Sequence, residues 1–123
     1  AKWSMLLTGN YRCVQSDGAI PIKEAVHGNI DASKTVYGWV DDLAQKLGAD
    51  PSDQVPFEKY ANAGESLLKP SSAARAIEAG ATNIEPVDRL VQTIGKSLDM
   101  SLDTVDNVVS TVDGRLQKNR DAA

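Results

Sequence analysis

The spacing of apolar positions changes near residue 32. Before it, Lys2–Thr8 and Tyr11–Gln15 are dense in aromatic and aliphatic side chains, with Gly9-Asn10 between them, a dipeptide that suits a type II′ hairpin turn. In that register Thr8 faces Tyr11, Leu7 faces Arg12, Leu6 faces Cys13 and Met5 faces Val14, so Trp3, Met5, Leu7 and Val14 share one side of a ribbon. Ser16-Asp17-Gly18 signals a second turn, and Ala19–Ile22 reads as a third strand at an edge, ended by Pro21. Two or three short strands do not stand alone in water, so the apolar side of the ribbon has to be covered by the rest of the chain or by another subunit.

Beyond residue 32 the period is helical. Asp31 or Ser33 can cap, Val36, Val40, Leu43 and Leu47 recur at helix spacing, and Gly48 stops the run, which predicts a helix over 33–47. Asp50-Pro51 opens a short turn of helix, and Phe57–Lys69 is a weaker helical stretch broken near Gly64 and closed by Pro70. Ser71 or Ser72 caps an alanine-rich segment that runs to Ala79 and ends at Gly80. Pro86 starts a helix with the stripe Val87, Leu90, Val91, Ile94 and Leu98, and Leu102–Gln117 forms the last, capped by Ser101, with Leu102, Val105, Val109, Val112 and Leu116 on one face. The expected fold is therefore α+β and mainly helical: a small N-terminal antiparallel β-ribbon followed by a bundle of four to six short helices. It forms one domain over 1–123, with a ribbon arm at 1–22 and a helical body at 31–123.

Two local patterns bear on function. Val40–Gly48 echoes Val87–Gly95, with Val105–Val112 a looser third copy; amphipathic helices resemble one another by chance, and that reading outweighs a true repeat. The stretch Ile94-Gly95-Lys96-Ser97-Leu98-Asp99-Met100-Ser101-Leu102-Asp103-Thr104-Val105-Asp106-Asn107-Val108-Val109 has a small residue in a first helix, a tight turn with an apolar residue and a serine, and then Thr-Val and further apolar positions. It resembles the helix-turn-helix of many bacterial regulators, over about 90–109, which would imply DNA binding. A glycine is usual at the turn where Asp99 stands. The segment that would enter the major groove, Leu102–Asp113, carries Asp103, Asp106 and Asp113 and no lysine or arginine, and Arg115, Lys118 and Arg120 come only afterwards, where they also suit the negative end of a helix.

Composition narrows the chemistry. One cysteine, Cys13, and one histidine, His27, cannot make a disulfide framework, a zinc finger, a Cys-X-X-Cys pair or a multi-histidine metal site within one chain. Asp99, Asp103, Asp106 and Asp113 would line one side of a continuous helix, a solvated face and not the curved loop that calcium demands, and Glu24-x-x-His27 is a single copy of a spacing that di-iron sites need twice. Nucleophilic catalysis would have to run through His27, for which a structural hydrogen bond is the ordinary role. No P-loop, Gly-x-Ser-x-Gly or Gly-x-Gly-x-x-Gly is present, so an enzyme is the least supported class and no cofactor or metal is expected. The net charge of −4 opposes polyanion binding. No apolar run is long enough to span a membrane and no signal-peptide pattern opens the chain. A soluble protein is expected, with a cytoplasmic or virion setting favoured over secretion. Ala1 at the start fits methionine removal, precursor cleavage or a chosen boundary equally.

What remains is surface. The leading expectation is a non-catalytic interaction or assembly protein, a structural subunit of a larger complex such as a virion, filament or oligomer, whose partners are other protein subunits in a homo-oligomer or larger assembly. Its contact residues would be Trp3, Met5 and Leu7 on the arm and Val105, Val109, Val112 and Leu116 on the last helix. The alternative is the helix-turn-helix regulator, and the third reading is a small inhibitor or adaptor of another protein.

Overall fold

The computed structural model describes residues 2–123; Ala1, and with it the origin of that residue, lies outside them. The described residues form seven α-helices: α1 (Lys2–Met5), α2 (Ile22–His27), α3 (Ile30–Lys46), α4 (Phe57–Gly64), α5 (Ser72–Glu78), α6 (Val87–Ser97) and α7 (Asp103–Ala122). No strand occurs among them, so the expected α+β class and its N-terminal ribbon are overturned: the fold is all-helical.

Where the ribbon was expected, α1 runs on without a break into a π-helical turn, Leu6–Asn10, and a 3₁₀ turn, Tyr11–Cys13. Gly9 is the physical reason. It does not turn the chain; it is buried at a crossing where a Cβ would collide with the hydroxyl of Tyr60 and press on Val26. Glycine thus serves close packing, not a left-handed turn. The proposed strand partners separate accordingly. Val14 bridges Ala19, not Met5, and Cys13 accepts from the Ile20 amide at 2.9 Å through its carbonyl. The Ser16-Asp17-Gly18 turn is present, closed by Gln15 N–H to the Gly18 carbonyl at 3.0 Å. It is pinned by Arg115 of α7, whose Nη1 donates to the carbonyls of Gln15 and Gly18 at 2.8 and 2.7 Å while Nη2 pairs with Glu78.

The later helices start and stop for legible reasons. Asn29 caps α3 by accepting from the Ala32 amide, and Gly48 ends the run at φ 102°. Ser71 caps α5 through the Ala74 amide, and Gly80 follows at φ 100°. Asp99 adopts φ 57°, the left-handed conformation that glycine would take more cheaply, and closes α6 together with a Met100 N–H to Gly95 carbonyl bond at 2.8 Å. Leu102, not Ser101, stands at the N-cap of α7, without a side-chain capping bond.

The hydrophobic core is organised around the 2–14 segment. Leu7, Tyr11, Cys13 and Val14 pack with Val36, Val40 and Leu43 of α3, Ile77 of α5, Val91 of α6, and Val105, Val112 and Leu116 of α7. A smaller aromatic cluster joins Tyr37, Tyr60 and Phe57 with Val26 and Met5; Tyr37 stacks on Tyr60 and meets Phe57 edge-on, each at 5.4 Å between centroids. The echo between α3 and α6 is not structural, because Leu43 is fully buried whereas its counterpart Leu90 is 47% exposed. No helix among the described residues is long and apolar enough to cross a membrane.

Candidate functional site

Of the residues expected to meet partners, most lie inside the chain. Leu7, Val105, Val109, Val112 and Leu116 are buried, and Met5 is half-buried against the aromatic cluster. Trp3 differs. It is half-buried and shares a surface hollow with Lys2, Ala44, Leu47 and Ala49, where Leu47 at the end of α3 is 51% exposed. Ser4, one residue on, is buried and donates to Asp41 of α3, which fixes α1 against α3 and so holds Trp3 beside Leu47. Lys2 lines this hollow, and the exposed Asp50 follows Ala49 directly.

The helix-turn-helix resemblance falls on α6, the Asp99 turn and the first half of α7. The two helices run antiparallel: Gln92 Nε2 donates to Asp106 Oδ1 at 2.7 Å, and farther from the turn Arg89 pairs with Asp113. Arg89 sits about 12 Å back from the end of α6 and Asp113 about 15 Å into α7, at 1.5 Å per residue. At right angles those points would lie about 19 Å apart, beyond the reach of an arginine and an aspartate together. The pair is an αα-hairpin, and two of the four aspartates in its second helix, Asp106 and Asp113, are engaged by α6. Gly95 serves this packing, since a Cβ there would press on the Trp39 ring and the Met100 carbonyl.

The titratable groups singled out for chemistry are tied down individually. Cys13 is buried and donates to the Gly9 carbonyl at 3.0 Å, and burial raises its thiol pKa. His27 holds the Ala61 carbonyl through Nε2 at 2.7 Å, linking α2 to α4. Asp99 lies in the turn, outside α7, so the four aspartates do not form one face, and the described residues contain no cluster of three acidic, histidine or cysteine side chains fit to hold a metal. Two groups were missed. Asp88, at the start of α6, is 2% exposed with Oδ2 unpartnered, and burial pushes its carboxyl above the usual range.

The second is Arg12. Its Nη1 donates to the Thr8 carbonyl at 3.2 Å and to Ser33 Oγ at 2.8 Å, and Ser33 passes the bond to the Val26 carbonyl at 2.7 Å. No carboxylate among the described residues pairs with it. Arg12 lines an open cleft of about 480 Å³ between the 12–20 segment, the α2–α3 corner and α7, whose other polar walls include Gln15, Asn29, Thr104, Asn107 and Glu24. Burial lowers the arginine's pKa, a direction that records poor solvation of the cation. No sequence signal marked Arg12, which reads as an ordinary strand residue in the hairpin register. Compared with known proteins, the chain matches no family model, no curated protein and no solved structure.

Proposed function

We propose that the chain is a non-catalytic assembly subunit that pairs with a second copy of itself through the face built from Trp3, Ala44, Leu47 and Ala49. The observation that carries this reading is Leu47, more than half exposed beside a half-buried tryptophan that is anchored by the Ser4–Asp41 bond. Tryptophan on a fixed backbone is the side chain best suited to anchor an interface, because it contributes large area at small entropic cost. A two-fold contact also needs a self-complementary rim. Lys2 and Asp50 supply one charge of each sign beside the hollow, so that each lysine can meet the other copy's aspartate. A patch this small supports a weak pair, with Kd on the order of 10 µM or above.

Sedimentation velocity at rising protein concentration is the test. The wild type is expected to shift from monomer toward dimer, and Leu47→Asp to remain monomeric with its melting temperature unchanged, since the side chain is exposed in the single chain. A wild type that stays monomeric to its solubility limit, or a Leu47→Asp variant that dimerises equally, overturns the reading. The regulator reading has less support: the antiparallel α6–α7 pair and the aspartates of α7 both oppose groove entry.

A further inference from the structure

We propose that the cleft over Arg12 binds a small ligand bearing an oxyanion, a carboxylate or a phosphate ester, with the arginine as its charge anchor. This goes beyond the assembly reading and rests on different residues.

Arginine taken out of water is expensive unless an anion compensates it, because the guanidinium loses hydration that neutral hydrogen bonds only partly replace. The other largely covered arginine of this fold, Arg115, obeys the rule by pairing with Glu78. Arg12 is the exception. One of its two terminal nitrogens is used to hold the Thr8 carbonyl and Ser33 Oγ, and these bonds fix the plane of the fork. The remaining edge, Nε and Nη2, has no hydrogen-bond partner among the described residues, and Arg12 is one of the residues that line the cleft. A planar fork with a fixed orientation and two free donors is matched by the paired oxygens of a carboxylate or phosphate.

The walls of the cleft fit such a ligand. Gln15, Asn29 and Asn107 bring amides and Ser16, Thr104 and Thr111 bring hydroxyls, groups able to hold the polar body of a small molecule, while Val14, Ile20, Ala25 and Val108 supply an apolar side. Thr104 belongs to the first turn of the 20-residue α7, whose N-cap Leu102 makes no side-chain capping bond, so the positive end of that helix also faces this region. Two carboxylates oppose an anion: Glu24, which lines the cleft, and Asp103, which precedes Thr104. Both are exposed and neither pairs with Arg12, so they weaken the site by charge without occupying it.

Nuclear magnetic resonance titration of the full chain with inorganic phosphate and, separately, with succinate is the test, at constant ionic strength set with sodium chloride. Saturable shifts are expected at Arg12, Asn29, Thr104 and Asn107 with at least one of the two probes; which probe binds tighter distinguishes a phosphate ligand from a carboxylate. Arg12→Met should abolish these shifts. Glu24→Gln, an exposed change that leaves the core alone, should tighten binding several-fold. Linear, non-saturating shifts with both probes in the wild type overturn the proposal, as does binding by Glu24→Gln that equals or falls below the wild type. If Arg12→Met fails to fold, the Glu24→Gln comparison decides.

Discussion

Gly9 and Asp88 illustrate how single residues carry the energetics of this fold. Gly9 lets the π-helical turn approach Tyr60, whose hydroxyl donates to the Met5 carbonyl at 3.2 Å. Gly9→Ala is therefore expected to cost about 1–3 kcal/mol through overpacking. Because the collision is with a hydroxyl, Gly9→Ala combined with Tyr60→Phe should recover part of the loss, and thermal melts of the single and double variants measure the coupling. Asp88 acts in the opposite sense. Burial raises its carboxyl above the ordinary value of 3.8, against the Arg89 backbone bond that lowers it, and the Asp113 charge adds to the rise. A group whose folded pKa lies above its unfolded one stabilises fully below the unfolded value, and loses that contribution as pH climbs through the folded value. At neutral pH Asp88 is a liability, so Asp88→Asn should melt higher than the wild type there, with the gap closing as pH falls toward 3.8. Equal melting curves at neutral pH would contradict this.

At the level of elements, legibility followed periodicity. The helices α3, α5 and α6 were readable to within about three residues because each has one buried face, with Gly48 and Gly80 as stop signals for the first two; α7 was readable at its start but, lacking a stop signal, runs to Ala122, beyond the expected end at Gln117. The 2–13 segment was not. It is buried on more than one side, with Ser4, Leu7, Thr8, Gly9, Tyr11 and Cys13 all inside, and a short helix surrounded by protein has no polar face to mark its period. Gly9-Asn10 then tipped the reading toward a hairpin. The short α2 was missed for want of a polar–apolar alternation long enough to register. The stripe on α7 was legible as buried, but only the packing tells what covers it: Val109 is 6% exposed in the single chain. Val109→Asp is accordingly expected to destabilise the isolated chain by about 3–5 kcal/mol, seen as loss of the cooperative melt by circular dichroism. The α6–α7 hairpin makes a second expectation. Duplex DNA should bind weakly and without sequence preference in fluorescence anisotropy, and sequence-selective binding at physiological salt would revive the regulator reading.

At the scale of the whole molecule, the ties that close the fold join residues far apart in the chain. The Tyr11 hydroxyl donates to the Glu85 carbonyl across 74 positions, Ser71 Oγ to the Asn10 carbonyl across 61, and Arg115 reaches the Gly18 carbonyl across 97. The last helix is fastened to α5 by Asn119, whose amide donates to the Ile77 and Ala81 carbonyls at 3.0 and 2.7 Å. Helical proteins generally fold quickly because their contacts are local. Here the 2–14 segment, at the centre of the core, precedes in chain order every helix from α2 to α7 that covers it. Leu7, Tyr11 and Val14 therefore stay partly uncovered until Val105, Val112 and Leu116 of α7 are in place. A fragment ending before Asp103 should be protease-sensitive, and the same chain extended through α7 should be resistant. Closure of this core thereby depends on the helix farthest along the chain from the segment it covers.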